Sequence, residues 1–242
     1  MGEASDSDEL LETTAGDFPL LDYRLRRGGR EWTVLHVGAV LTDEDETRAI
    51  VRKTNRLPYG VSLWPSGIAL AHEIAVREAE FRGRSVLELG AGVGLPGIVA
   101  ATLGTHSVLQ TDRDEVALHL CRRNGERNGP TTIEHRIADW ADWAESGRYD
   151  WILGADVLYG DSLHPDLRRI FEANLAPGGR VLLSDPFRPG ALGFLNSLEA
   201  DGWRVEFARW EVGEESTPRP IGVFELAPPA DGRAERPGGR ER

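Results

Sequence analysis

A chain of 242 residues with a formal net charge of −12 and 40% hydrophobic residues can fill one sizeable packed α/β domain, which excludes a wholly disordered polypeptide. The acidic balance excludes general attraction to a phosphate backbone, so no nucleic-acid partner is expected, while a cationic acceptor such as a lysine- or arginine-bearing protein is compatible with it. Cys121 is the only cysteine, which leaves no internal disulfide and no cysteine-rich zinc site. Apolar runs are strand-length, short of the roughly 20 residues of a membrane span, and no basic-then-apolar leader opens the chain. A reducing cytoplasm is the expected location, with no membrane association.

Residues 1–17 carry six acids and no base and predict a solvated, disordered lead-in. "YRLRRGGREWTVLHV" predicts a β-hairpin turning at Gly28-Gly29, part of an N-terminal extension over 18–62. In "WPSGIALAHEI", Pro65 suits a first helical position and Ile68, Leu70, Ala71, Ile74 and Ala75 supply an apolar face. "SVLELG" then reads as a buried strand, "LPGIVAATLG" as a short helix, "SVLQTD" as a strand and "DEVALHLCRRNGERNG" as a helix. A weaker strand, "TIEHRIAD", precedes "YDWILGADVLY", a strand running into a loop. "HPDLRRIFEANLAPGG" is a helix, "RVLLSDP" a buried strand, and a helix around 190–200 leads to the strands "WRVEFARWEV" and "IGVFEL". The Pro-, Gly- and Arg-rich stretch 227–242 predicts a disordered tail.

Strands alternating with helices at this spacing imply a Rossmann-like, doubly wound parallel sheet, here seven-stranded. The last two strands have no helix between them and should close the sheet as an antiparallel hairpin. Residues 18–226 thus read as a single domain.

"GVGLPG" at 92–97 matches G-x-G-x-x-G, which by itself marks only a turn where backbone approaches a ligand closely. Asp112 ends the next strand 20 residues after Gly92, and suits a ribose hydroxyl pair in NAD and in S-adenosylmethionine alike. Three features separate the two. Glu88 stands two residues before Gly90, where a carboxylate repels a pyrophosphate but can receive an ammonium directly or through water. Gly90 and Ala91 precede the match, whereas a dinucleotide turn starts just off the strand. Asp139 and Trp140 follow the third strand of the sheet, offering an acid for an adenine amino group and an aromatic plane beside it. A second reading makes Glu88 a cap for the helix that follows, and an acid in an apolar strand needs a partner in either case.

Glu88, Gly90, Gly92, Gly94, Asp112 and the Asp139-Trp140 pair resemble the S-adenosylmethionine motifs of class I methyltransferases. "PYGVSLWPSGIALAHEI", "VLELGAGVGLPGIVAA" and "ILGADVLY" narrow the resemblance to the family-16, lysine-methyltransferase-like group of seven-strand methyltransferases, over about residues 20–226. The resemblance implies S-adenosylmethionine as cofactor, with Trp64 and Ala155 also beside it, and protein N-methylation, most directly of lysine. It places Asp156 and Tyr159, the family's D-x-x-Y, next to the acceptor. Methyl transfer is an in-line displacement on an activated donor, so the enzyme must align acceptor, methyl and sulfur and free the acceptor's lone pair. Asp156 can accept a hydrogen bond from an amine, and Tyr159 can supply an aromatic wall and a hydroxyl. Nucleic-acid amino methyltransferases carry D/N-P-P-Y/F here, whereas this chain has Val157 and Leu158 at the proline positions.

"SDPFRP" at 184–189 resembles the D-P-x-R segment of the branch acting on the electron-transfer flavoprotein β-subunit, which implies an acceptor channel lined by Asp185 and Arg188, although the two prolines also suit a structural turn. The N-terminal block resembles branches acting on other proteins, one of them on arginine. Arginine, a small molecule, or a non-catalytic binding role therefore stay open beside lysine. Trp143 and Cys121 read as packing residues, and His72, His119 and His135 lack a mutual spacing for a metal, so no metal is expected.

Overall fold

A computed structural model describes residues 2–13, 16–38, 59–129, 132–213 and 218–229. Most of the expected C-terminal tail, and the whole of the segment 39–58 within the expected N-terminal extension, lie outside these residues.

Seven strands form the central sheet: β4 (Ser85–Leu89), β5 (Ser107–Asp112), β6 (Ile133–Ile137), β7 (Tyr149–Ala155), β8 (Leu175–Asp185), β9 (Arg204–Val212) and β10 (Arg219–Ala227). Their order is β6-β5-β4-β7-β8-β10-β9. The first five pair in parallel, and β10 runs antiparallel to both β8 and β9. The doubly wound sheet and closing hairpin expected from the sequence are therefore present. The chain winds outward from β4 to β6, then restarts at β7 on the other side of β4, so strand order reverses between β4 and β7 and a crevice opens beyond their carboxyl ends.

The helices are α1 (Pro65–Val76), the one-turn α2 (Glu78–Phe81), α3 (Leu95–Thr102), α4 (Glu115–Asn128), α5 (His164–Asn174) and α6 (Pro189–Ala200). Asp114 caps α4 by accepting the Val116 N–H at 2.9 Å, and Gly129 ends it in the left-handed conformation. Two apolar cores flank the sheet. Along β4 the period of two sends Val86 into one and Leu87 and Leu89 into the other. Glu88 therefore faces the same side as Val86, toward α3.

A second sheet has the order β1-β2-β3, from β1 (Gly2–Thr13), β2 (Gly16–Arg27) and β3 (Arg30–His36). The expected hairpin is its β2–β3 pair, in which Gly28 and Gly29 both have positive φ, as a two-residue turn between Arg27 and Arg30 requires. The expected disordered lead-in is instead β1, antiparallel to β2. The physical reason is that one of its acids and one of its apolar residues have partners elsewhere in the chain. Leu11 is buried, and the Glu9 carboxylate pairs with Arg123 and with Arg127 of α4, the latter at 2.6 Å. At the other end Ala227, expected to open the tail, still belongs to β10.

Two asparagines one helical turn apart join the second sheet to the domain. Asn124 Oδ1 accepts the Leu35 N–H at 2.7 Å, and its Nδ2 donates to Leu35 O at 3.0 Å and Val93 O at 2.9 Å. Asn128 does the same for Thr33, accepting its N–H at 3.0 Å and donating to its carbonyl at 2.8 Å. The amides of α4 thus stand in for a further strand along the edge of β3. Asn124→Ala leaves a buried N–H and two carbonyls unpaired, and is expected to destabilise the fold by about 2–4 kcal/mol. Urea unfolding measures this, and a loss below about 1 kcal/mol would assign the joint to apolar packing instead.

Candidate active site

The loop between β4 and α3 opens the crevice. Gly90, Gly92 and Gly94 all have positive φ (64°, 55° and 85°), a conformation costly for residues with a Cβ. At Gly94 a Cβ would also press on Cys121 Sγ and lie 3.0 Å from Gln110 Nε2.

Glu88 lies behind this loop, 1% exposed, and not on the open side of the crevice. Its Oε2 accepts the Gly97 N–H at 3.1 Å and the Gln110 amide at 2.6 Å. Gln110 also donates to Gly94 O at 2.9 Å and accepts from Cys121 Sγ at 3.1 Å. The helix-cap reading of this acid is thus the one the geometry realises: the carboxylate takes one of the free N–H groups in the first turn of α3. Burial raises the Glu88 pKa from 4.5 to about 8, against the pull of the Gln110 and Gly97 donors.

Asp112 closes the loop from the other side, accepting the Gly92 N–H at 3.0 Å and the Asp114 N–H at 3.0 Å. Burial pushes its carboxyl above the ordinary value despite those donors. A short 3₁₀ turn at Tyr59–Val61 runs beside the loop, with Gly60 O 3.3 Å from where a Gly92 Cβ would stand. Tyr59 is exposed and stacks on Trp64, centroids 6.0 Å apart, while Trp64 Nε1 donates to Tyr59 O at 3.0 Å. The pair forms an aromatic wall. On the opposite flank Trp140 Cζ2 and Val157 Cγ1 lie 3.4 Å and 3.2 Å from the Cβ position of Gly90. Trp143 packs against the core beyond and donates to Asn174 at 2.8 Å.

Ala155 ends β7, about 4.0 Å from the Cβ position of Gly67 at the start of α1. Ser184 of β8 donates to Ser66 O at 2.8 Å, tying that helix end to the sheet rim. Asp156 follows in a left-handed conformation, φ 60°, with its N–H bound to Ser184 O at 2.9 Å. Its carboxylate pairs with Arg188 NH2, while Arg188 NH1 pairs with Asp185 at 2.8 Å and the Arg188 N–H donates to the same carboxylate at 2.7 Å. Asp185 is fully buried, and burial pushes its carboxyl up against the pull of Arg188. Partial burial works against the Arg188 charge, but Asp156 and Asp185 hold its pKa above the ordinary arginine value.

The structure therefore brings Trp64, Gly90, Gly92, Gly94, Asp112 and Trp140 around one loop, and Asp156, Asp185 and Arg188 into one ion-paired cluster one to two strands away. Tyr159 stands 57% exposed on the rim, outside that cluster. Asp139 is exposed and turns back on its own loop, accepting the Ala141 N–H at 2.9 Å. Tyr59, Gly60 and Gln110 were not singled out from the sequence. Gln110 had a readable signal, because S-V-L-E-L and S-V-L-Q-T repeat one pattern and pair Ser85 with Ser107, so the two polar residues meet.

The architecture is that of a class I methyltransferase. A ribosomal protein L11 methylase from Lactobacillus delbrueckii subsp. bulgaricus superposes with a TM-score of 0.51 at 24% identity, over 66% of this chain and 77% of that one. The lysine methyltransferase family model matches residues 42–198, and the chain belongs to that family. A protein N-lysine methyltransferase METTL21A from Xenopus tropicalis is 37% identical over 131 residues, 52% of this chain and 60% of that protein. The Danio rerio METTL21A is 31% identical over 180 residues, 72% of this chain and 71% of that protein. The match to the first of these spans less than two thirds of its length.

A raised carboxyl pKa fixes the sign of a pH effect. Stability from Glu88 is complete below its unfolded value near 4.5 and is lost as pH rises through about 8. Glu88→Gln keeps an oxygen for Gly97 and Gln110 without a buried charge. Its melting temperature should match the wild type near pH 5 and exceed it by several degrees near pH 8.5. Parallel curves for the two proteins would show that Glu88 does not titrate in this range.

Proposed function

We propose that this protein transfers a methyl group from S-adenosylmethionine to a lysine side chain of another protein. The observation that carries the reading is the adjacency of two built features at the point where strand order reverses. The left-handed glycine loop follows β4, and the Asp156–Arg188–Asp185 cluster follows β7 and β8, with β4 and β7 hydrogen-bonded neighbours. Membership of the lysine methyltransferase family supports it, as do the names of the relatives.

The residues present fit the cofactor. Gly90, Gly92 and Gly94 keep backbone free of Cβ atoms, and Asp112 ends β5 with a carboxylate for ribose hydroxyls. Trp140 flanks the loop where an adenine would lie, the Tyr59–Trp64 wall and Ala155 bound the remaining sides, and Glu88 acts on the pocket through the loop it anchors. When bound, S-adenosylmethionine supplies an electrophilic methyl group on a sulfonium.

The chain's own contribution at the acceptor end is orientation and proton handling. A lysine arrives as an ammonium and must shed a proton before its lone pair can attack. Asp156 is the acceptor for one N–H of that group. A carboxylate offers about four lone-pair sites, so its contact with Arg188 leaves capacity for the substrate. Ser184 holds the Asp156 backbone, and Tyr159, three residues on, stands exposed at the rim where an incoming side chain could meet its ring. No helix among the described residues is long and apolar enough to cross a membrane.

The test incubates the purified protein with methyl-labelled S-adenosylmethionine and a cell lysate separated into macromolecules and small solutes. Asp156→Asn is the control, because asparagine tolerates the positive φ while removing the charge. Label on lysine in a protease-sensitive, nuclease-resistant fraction, reduced about 10²-fold or more by the variant, is the expected result. Label on arginine, label confined to small solutes, or no label at all would each overturn the reading.

A further inference from the structure

The segment Asp185-Pro186-Phe187-Arg188 does two things in adjacent residues. Arg188 turns to the two aspartates, while Phe187 takes a left-handed backbone, φ 62°, and packs away from them. A left-handed phenylalanine is strained, so its neighbours must impose it. Those neighbours are Phe224 of β10, at 5.8 Å between ring centroids, and Phe207 of β9, at 6.1 Å, themselves 5.6 Å apart as a directly facing cross-strand pair. Gly222 makes room for the group, since a Cβ there would lie 2.6 Å from Phe224 and 2.9 Å from Phe187. Phe224 is buried, yet Phe207 is 62% exposed, and Leu192 in the first turns of α6 is also exposed.

A single exposed phenylalanine needs no explanation. Here, however, the exposed ring is the outer member of a cluster built with strained backbone, on the outermost strand of the described sheet, and joined by one residue to the acceptor carboxylates. The rim alongside carries the carboxylates of Asp156 and Asp161, and the Arg188 guanidinium there is already paired with the buried Asp185 as well as with Asp156. A cationic side chain thus fits one end of this surface and an apolar side chain the other.

We infer that Phe187 and Phe207 form a dock for an apolar side chain of the acceptor protein, carried on the same extended segment as the methylated lysine. This rests on the lysine methyltransferase reading and adds to it a substrate preference. The register places Phe207 level with Phe224 and Leu183, two residues below Asp185 and three strands across from β7. With strands about 4.8 Å apart and about 3.3 Å per residue, the dock lies roughly 15 Å from Asp156, a span of about four or five extended residues. The occupant is therefore a lysine-bearing segment with a large apolar residue about four or five positions from the lysine.

The probe is a library of lysine-centred peptides, each position from six before to six after the lysine varied singly, with the full chain and methyl-labelled S-adenosylmethionine. The expected result is a preference of roughly fivefold or more for Phe, Leu or Met at one position four or five residues from the lysine. Phe207→Ser should abolish that preference with cofactor affinity kept and the melting temperature lowered by no more than a few degrees, since the ring packs on Phe187 and Phe224, and Phe207→Leu should restore both the preference and the stability. No preference at those positions, or one that Phe207→Ser leaves intact, overturns the dock while lysine methylation stands. If only folded lysate proteins take up label, a roughly fivefold loss in Phe207→Ser supports the dock and an equal yield overturns it. No label on any peptide or lysate protein overturns the lysine reading and the dock together.

Discussion

The glycine loop depends on one buried carboxylate. Glu88 receives the Gly97 N–H and the Gln110 amide on the same oxygen, so one atom fixes the first turn of α3 and the side chain that in turn grips Gly94 O. Removing both donors' acceptor would cost about 1–3 kcal/mol for each group left unpaired, a large share of a domain's net stability. The space is equally constrained, because the positions of Gly94 and Gly97 are filled from behind by Cys121, Gln110 and Glu88. The loop thus keeps its open face toward the crevice because its other face is occupied by a satisfied polar network.

That arrangement changes what the acid in "VLELG" means. Read as a sequence, a carboxylate two residues before the glycines is a natural partner for a ligand's ammonium. In the fold, the strand's period of two aims it at α3, away from the crevice mouth, and burial favours its neutral form. The acid acts on the pocket by shaping backbone, which is a positioning role. Asp112 clasps Gly92 from the end of β5, the strand that pairs with β4.

What was legible in the sequence follows local rules. The parallel strands are short apolar runs, the α4 boundaries are written by Asp114 and Gly129, and the β2–β3 turn by Gly28-Gly29. Asp156, Asp185 and Arg188 could be singled out one by one through motif and strand-end position, but not their pairing with one another. What was not legible needed partners distant in the chain. Glu9 looks solvating until Arg123 and Arg127, more than a hundred residues later, are placed opposite it. Gln110 is unremarkable until β5 pairs with β4 in register. Tyr59 gains a role only when the turn at 59–61 lies beside Gly92.

Strain is concentrated where the sheet meets the crevice. Asp156 and Phe187, the only non-glycine residues with positive φ among those described, follow neighbouring strands β7 and β8. An aspartate tolerates this conformation at a cost of about 1–2 kcal/mol, and Ser184 O holds it there through the Asp156 N–H. A phenylalanine has no such local compensation and relies on the aromatic packing with Phe207 and Phe224. Phe187 and Arg188 share one peptide unit, and Asp185 fixes that unit by accepting the Arg188 N–H at 2.7 Å. The aromatic packing on the closing hairpin and the ion pairs of Arg188 with Asp156 and Asp185 therefore share one short stretch of backbone after β8.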